Sequence, residues 1–265
     1  MRGRTLEALV CAALLLAPAL GFAQAAVDGL AEAQACARKN LPTRTFELRA
    51  TFTKVDRVGG ERVSRAKVIG KKLDDGLQRA VLRFDKPIDV RGTAMLMIEN
   101  STGPSIFYVY TPEQRRTRRI SGKSSGGLFG TDFSYDDFEN WRGFGKRSKA
   151  ERLPDAVEAG RSVYVLTGAP ANEVESSYER VVSYVDRETC VVLRIDSYEP
   201  GAKLRKVFRA DPASVEKTED VSIAKALVLE DVLDGTRTRV AIDAIRLDLD
   251  LPDRLFRQTD LASGT

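Results

Sequence analysis

Apolar and polar residues alternate along most of this 265-residue chain, in short runs separated by turns. Residues 46–52 place Phe, Leu, Ala and Phe at every second position, with charged or hydroxyl residues between them. Successive side chains of a strand point to opposite faces of a sheet, so such runs predict half-buried strands. The turns and the lack of βαβ spacing predict about eleven antiparallel strands in one mostly-β domain.

Some runs depart from simple alternation. Residues 94–98 and 106–110 are apolar at almost every position, which is typical of strands that are covered on both faces or line a cavity. Residues 216–229 predict a longer, polar strand. The last run, from 236 to about 250, changes its apolar phase near Ala244, and this predicts a bulge. Helices are predicted at residues 28–38, at a capping box over 134–137, and at 252–258.

The first 25 residues have the composition of a secretory signal peptide. Arg2 and Arg4 precede an apolar stretch over residues 6–20, and small residues that suit cleavage follow. We therefore predict a cleaved leader at 1–25, export to the periplasm, and one domain over 26–265; an uncleaved anchor is the alternative. Cleavage removes two arginines and one glutamate, so the formal charge falls from +4 to +3, which is unlike a nucleic-acid binder.

Two cysteines, Cys36 and Cys190, remain after this cleavage. In an oxidising compartment such a pair is typically bridged, and two unrelated buried thiols are the alternative. The sequence therefore predicts a disulfide between the first helix and a distant strand.

The composition argues against an enzyme. The chain has no histidine, so it lacks the commonest general base and metal ligand. It also lacks a nucleophile elbow, a phosphate-binding glycine loop and a paired-cysteine metal motif. Adjacent carboxylates such as Asp136-Asp137 are typical of helix caps. We predict no catalytic residue, no metal and no cofactor.

Residues 115–138 form the most specific motif. Arg115-Arg116-Thr117-Arg118-Arg119-Ile120 is followed by a glycine-rich stretch and then by Phe129-Gly130-Thr131-Asp132-Phe133-Ser134-Tyr135-Asp136-Asp137. This segment resembles the signature of outer-membrane lipoprotein-sorting proteins, which are related to the LolA/LolB lipoprotein carriers. The resemblance implies a LolA-like half-barrel, in which a curved antiparallel sheet wraps around a few helices and encloses an apolar cavity.

The arginines of this motif have two interpretations. Arg115, Arg116, Arg118 and Arg119 pair with the carboxylates of Asp132, Asp136 and Asp137, or they remain available for anionic headgroups or an acidic partner surface. In a continuing strand, Arg116 and Arg118 face one way and Arg115 and Arg119 the other.

The aromatic residues that follow also have two interpretations. Phe129, Phe133, Tyr135, Phe138 and Trp141 surround the short predicted helix. They form ordinary core, or they form a lid over a lipid cavity with Gly126, Gly127 and Gly130 as hinges.

A set of apolar residues on the first strands is predicted to form a lipid-binding face, although the same residues could simply pack on the helices. These are Phe46, Leu48, Phe52, Leu82, Phe84, Leu96, Ile98, Phe107 and Val109. The first functional hypothesis is a periplasmic carrier for a lipid or a lipidated protein, with an RND-type membrane transporter as a further partner implied by the resemblance. The second is an adaptor of such a membrane complex that carries no cargo. An apolar cavity of several hundred Å³ would favour the carrier.

Overall fold

The computed structural model describes residues 20–40, 45–101, 105–120, 127–140, 149–169 and 176–263; the side chains of residues 20–28, 140 and 149 are not described. These residues form two α-helices and fifteen strands. The elements are α1 (Leu20–Lys39), β1 (Phe46–Val55), β2 (Glu61–Lys72), β3 (Gln78–Lys86), β4 (Ala94–Ile98), β5 (Ile106–Thr111), β6 (Arg116–Ile120), α2 (Tyr135–Asn140), β7 (Lys149–Glu158), β8 (Arg161–Ala169), β9 (Arg180–Asp186), β10 (Val192–Glu199), β11 (Lys203–Ala210), β12 (Val215–Thr218), β13 (Val221–Ala224), β14 (Ala226–Asp231) and β15 (Thr236–Leu247). Three short 3₁₀ helices follow β11 or β15: Pro212–Ser214, Asp253–Phe256 and Gln258–Asp260.

Thirteen of these strands form one curved, open antiparallel sheet, which confirms the predicted fold class. Its strand order is β6-β5-β4-β3-β2-β1-β15-β14-β11-β10-β9-β8-β7. Two meanders therefore meet where the first strand pairs with the last. The hairpin β12–β13 forms a separate two-stranded sheet.

One face of the first meander packs on α2, and we call it the concave face. Leu82 of β3 lies between Val68 of β2 and Met95 of β4, and antiparallel partners point to the same face. Phe52 of β1 shares this face and meets the ring of Phe133, just before α2, edge-on at 6.2 Å. The alternation seen in the sequence therefore places its apolar phase against the helix.

The opposite face of β2, β3 and β4 is covered by the C-terminal 3₁₀ helices. Ile69, Val81 and Leu96 pack there with Phe256 and Leu261. Both faces of β4 are therefore buried, as its unbroken apolar run predicts.

The fold differs from the sequence prediction in five places. The first helix extends over Leu20–Lys39, and the polar run 216–229 divides into three strands because a turn at 219–220 and a bend at 225 interrupt it. Strands β6 and β7 were not among the eleven predicted strands, and the closing helix is 3₁₀. Residues 1–19 lie outside the described residues, so the leader remains a prediction. None of the described helices is long and apolar enough to cross a membrane.

The predicted bulge in the last strand is confirmed. Arg49 of β1 pairs with Ala244, while the next residue, Ala50, pairs with Ile242. Asp243 is the extra residue. The apolar positions of β15 therefore change from even to odd residue numbers here, and their side chains stay on the concave side.

Helix α1 packs against β8 and β9 and is bound covalently to the sheet. Ala33 and Cys36 lie against Tyr164, Leu166 and Val185 in a small buried cluster that also contains Cys190. The Cys36–Cys190 disulfide is present, with the two Cα atoms 5.0 Å apart and a sequence separation of 154. The predicted bridge is confirmed.

Candidate functional site

An apolar cavity of about 310 Å³ lies between the concave face and the helices. Its walls come from β1–β4 on one side and from β10, β11 and β13–β15 on the other, while Ala37 of α1 and Phe138 of α2 contribute from the helices. None of the described residues that line it is charged, and its polar lining side chains are Asn40, Gln78 and Ser222. The cavity can therefore accept an apolar ligand without desolvating an ionised group.

The cavity has a closed end and a more accessible end. Phe52 and Phe133 at the closed end are 7% and 2% exposed. Leu48, Val68 and Ile245 toward the other end are only half-buried. The cavity is therefore more exposed at the end where these three residues lie.

Close packing in the cavity wall at this end depends on a glycine. The ring of Phe46 lies directly over Gly70 of the paired strand, and a Cβ atom at Gly70 would stand 2.1 Å from that ring. Any other residue at position 70 would displace Phe46 from the wall.

The predicted lipid-binding residues fall into three groups. Phe46, Leu48, Phe52 and Leu82 line the cavity. Phe84, Phe107 and Val109 lie outside the lining and belong to neighbouring parts of the core; Phe84 packs on Phe52 with the ring centroids 6.1 Å apart. The placement of Leu96 and Ile98 on this face was wrong, because both lie on the opposite face with the C-terminal 3₁₀ helices.

Much of the cavity was not predicted. Met95 and Met97 of β4 take the places assigned to Leu96 and Ile98. The second meander contributes a whole wall, which comprises Ile195, Phe208, Ala210, Leu227, Val240 and Ile242. The sequence does contain the pattern that indicates this wall, because apolar residues recur at every second position in β11, β14 and β15.

The segment that covers the concave face, residues 127–140, will be called the lid segment. It opens with a tight turn in which Phe129 and Gly130 have φ of 54° and 74°, and the amide of Thr131 donates to the carbonyl of Leu128 at 2.9 Å. A Cβ atom at Gly127 would lie 1.9 Å from the carbonyl oxygen of Thr131. Gly127 and Gly130 therefore allow a close, left-handed turn, whereas the sequence suggested hinges. Gly126 and Trp141 lie outside the described residues.

Asp132 fastens the lid segment to the sheet. Its carboxylate accepts hydrogen bonds from Thr236 Oγ1 at 2.5 Å and Thr238 Oγ1 at 2.6 Å, and it forms an ion pair with Lys54 Nζ at 2.9 Å. The Asp132 side chain is 3% exposed. Its partners come from β1 and β15, which lie far from the arginine run in sequence.

A buried lysine forms the second attachment. Lys206 of β11 is completely buried and donates to Asp137 Oδ2 at 2.7 Å and to the carbonyl of Asp132 at 2.6 Å. Asp137 Oδ1 accepts from the hydroxyl of Tyr178 at 2.7 Å, and Asp137 Oδ2 also accepts from the amide of Ser134 at 2.7 Å. The last bond confirms the predicted capping box. Burial, followed by the nearby carboxylate of Asp137, raises the pKa of Tyr178 well above its usual range, so Tyr178 stays a neutral donor.

Asp136 points away from the arginine run as well. Its carboxylate accepts from the amide of Ser177 at 2.7 Å, and burial raises its pKa above the usual range. The predicted pairing of the arginines with Asp132, Asp136 and Asp137 was therefore wrong for all three carboxylates.

The arginines themselves lie on an exposed strand. Arg115 occupies the turn before β6, with φ of 46°, and Arg116, Arg118 and Arg119 are all exposed. No ion pair joins any of the four to a carboxylate within the described ranges. Arg118 lies near Tyr135, whose ring packs on Phe107 at 5.1 Å and whose pKa is raised to about 12 by burial.

The site offers an apolar volume lined by uncharged side chains. No group of three or more potential metal ligands occurs in the described part of the chain. The structural features of the site are thus the uncharged cavity, the fastened lid segment and the exposed arginines.

Comparison with known proteins gives a family and a fold. A protein-family model with the description "-like: Uncharacterized protein" matches residues 76–263, which is well over half of the chain. No curated protein matches the chain in sequence.

Several solved structures share the fold over most of the chain. A domain from Vibrio parahaemolyticus, described as an outer membrane lipoprotein-sorting protein domain, is 21% identical, with a TM-score of 0.79 and coverage of 89% of this chain and 99% of that one. A DUF1329 family protein from Desulfovibrio piger is 24% identical, with a TM-score of 0.80 and coverage of 89% and 98%. A LolA superfamily protein from Nitrosomonas europaea is 19% identical, with a TM-score of 0.66 and coverage of 88% and 97%.

At these identities the likeness establishes the fold. The resemblance stated from residues 115–138 is therefore confirmed at that level, over the first meander, the lid segment and the second meander together. The chain belongs to the family whose model matches residues 76–263, and its fold is the LolA-like fold of the lipoprotein-sorting domains.

Proposed function

We propose that this protein is a carrier that binds an apolar cargo, the acyl chains of a lipidated protein or of a free lipid, in the cavity under the lid segment. The observation that supports this most directly is the cavity itself. Its volume of about 310 Å³ falls within the range of about 300–1,000 Å³ that is usual for small-molecule sites, and no described lining residue is charged.

The lining determines which part of a lipid is bound. Each buried methylene contributes about 0.8 kcal/mol, so an acyl chain needs no specific polar contact to bind. A charged headgroup would have no counter-charge inside and must stay at the half-buried end, near Leu48, Val68 and Ile245. The cargo is thus recognised by its hydrocarbon, and binding involves no covalent step.

The attachments of the lid segment favour one route of entry. Asp132 and Asp137 hold this segment to β1, β11 and β15 through buried charged groups. Lifting it would separate Asp137 from Lys206 in a poorly hydrated interior, which is costly. Entry at the half-buried end requires neither attachment to break, so we place it there.

Three features support a periplasmic setting. The Cys36–Cys190 bridge is typical of oxidising compartments, the first 25 residues read as a leader, and a solved relative is described as a lipoprotein-sorting domain. The proposed partners are lipidated proteins or free lipids, and an RND-type transporter as donor or acceptor. Nucleic acid is not a proposed partner.

The carrier is tested by thermal melting of delipidated protein with fatty acids, a phospholipid or a lipopeptide. A ligand that binds only the folded state stabilises it by about 2.7 kcal/mol at a hundredfold excess over its Kd. We expect the melting temperature to rise with such amphiphiles. Ala80→Trp, which places an indole into the cavity wall, should abolish the rise, while Ala241→Trp on the exposed face of β15 should retain it.

The same experiment separates carrier from adaptor. If no amphiphile raises the melting temperature of the native protein and none is extracted from protein purified from the periplasm, the cavity carries nothing. The chain would then act as an adaptor of a membrane complex.

A further inference from the structure

We propose that the open edge of β6 binds an acidic, extended segment of a partner protein as an additional strand of the sheet. This site is separate from the cavity and does not depend on the carrier function. It consists of the backbone of β6 and the side chains of Arg116, Arg118 and Arg119.

The position of β6 provides the backbone for such pairing. It is the first strand of the thirteen-stranded sheet formed by the described residues, and its strand partner is β5, on one side. No described strand pairs with its other edge, which therefore has backbone N–H and C=O groups of the kind that pair with an incoming strand.

The arginines lie on both faces of this edge. Arg118 pairs with Val109 and Arg116 with Thr111, which places both on the concave side. Arg119 pairs with Tyr108 and points to the opposite face. An added strand also alternates its side chains between the two faces, so two consecutive acidic residues would meet cations on both faces.

Glu113, in the exposed turn before β6, forms no ion pair with Arg116, Arg118 or Arg119 within the described residues, and the carboxylates of the motif that follows β6 do not neutralise this cluster either. Asp132, Asp136 and Asp137 are buried or half-buried, and their partners are Lys54, Lys206 and the amide of Ser177. In the sequence, the stretch 121–126 that follows β6 contains no aspartate or glutamate and one further cation, Lys123. The positive charge along β6 thus calls for an acidic partner from outside the chain.

A strand fits this arrangement better than the headgroup of a lipid bound in the cavity. A single phosphate is best held by cations that converge on one point, whereas Arg119 points to the face opposite that of Arg116 and Arg118. Val109 of β5 separates Arg118 from the cavity-lining Met95, so Arg118 lies two strand spacings, about 10 Å, beyond the wall. Tyr135 of α2 stands on the same stretch of the concave face.

Fluorescence anisotropy tests the proposal with a labelled ten-residue peptide in which pairs of glutamates alternate with pairs of valines, so that glutamates lie on both faces of the extended peptide. We expect it to bind at low salt at least tenfold more tightly than the glutamine–valine peptide, and to weaken as salt rises. The same glutamate–valine sequence with every backbone amide N-methylated should lose this binding, because strand pairing needs the amide protons.

A matched pair of variants locates the site. The triple variant R116Q/R118Q/R119Q should weaken peptide binding at least tenfold. R65Q/R91Q/R246Q removes the same charge from exposed positions elsewhere and should change it less than twofold. The melting temperatures of both variants are compared with that of the wild-type protein to confirm that both variants fold.

Three outcomes would overturn the proposal. One is equal affinity for the acidic and the neutral peptide, and another is undiminished binding of the N-methylated peptide. The third is arginine-dependent capture of phosphatidylglycerol vesicles without peptide binding, which would assign the cluster to lipid headgroups.

Discussion

Lys206→Met is expected to lower the free energy of unfolding by about 3–5 kcal/mol, because it leaves the carboxylate of Asp137 buried without its counter-charge. Lys206 is completely buried and donates to both Asp137 and the carbonyl of Asp132, so one substitution removes two bonds to the lid segment. Denaturant unfolding measures the loss. Hydrogen exchange should report faster exchange in residues 127–140 than in the sheet beneath them.

Lys203→Met is the matched control for this prediction. Lys203 is at the exposed start of the same strand, and its replacement should cost less than about 0.5 kcal/mol. A loss below about 1 kcal/mol for Lys206→Met, or unchanged exchange in the lid segment, would show that the lysine does not hold this segment to the sheet.

Removal of the disulfide is expected to have an effect of similar size. In the chain-entropy model, a bridge spanning 154 residues stabilises the folded state by about 5 kcal/mol. The double variant C36A/C190A should therefore melt well below the oxidised protein, and α1 should become the least protected element. The oxidised mature protein should also show no free thiol after denaturation.

Reduction of the wild-type protein provides the control, because it opens the bridge without changing any side chain. Reduced wild-type protein and C36A/C190A should melt at similar temperatures. Two free thiols in the untreated protein, or an unchanged melting temperature in the double variant, would contradict the prediction.

The sequence predicts local features of the fold well. Alternation over residues 46–52 and the phase change near Ala244 depend only on which side of a strand is buried, and the structure confirms both. The capping box at Ser134 depends on four consecutive residues and is also present. Each of these signals is contained within a short stretch of chain.

The errors of the sequence prediction arise where strands that are distant in sequence meet, or where a strand is apolar at every position and its buried side cannot be read from the pattern. The partners of Asp132 come from β1 and β15, and no spacing near residue 132 could indicate them. In β4 every position is apolar, so nothing in its sequence says whether Met95 or Leu96 faces the helix. The sequence does indicate that Lys206 faces the interior, because it lies in β11 between Leu204 and Phe208 on the apolar side of the strand.

The pairing of β1 with β15 also bears on the order of events during synthesis. Phe46 pairs with Leu247, so the strand that joins the two meanders is made about 200 residues after its partner. Until β15 has been synthesised, β1 and β14 each present an unpaired edge to other chains. Pairing β1 with β15 then closes a loop that comprises nearly the whole domain. Contacts so distant in sequence make folding slow. A nascent chain of this protein therefore needs protection from aggregation until its last strand has emerged.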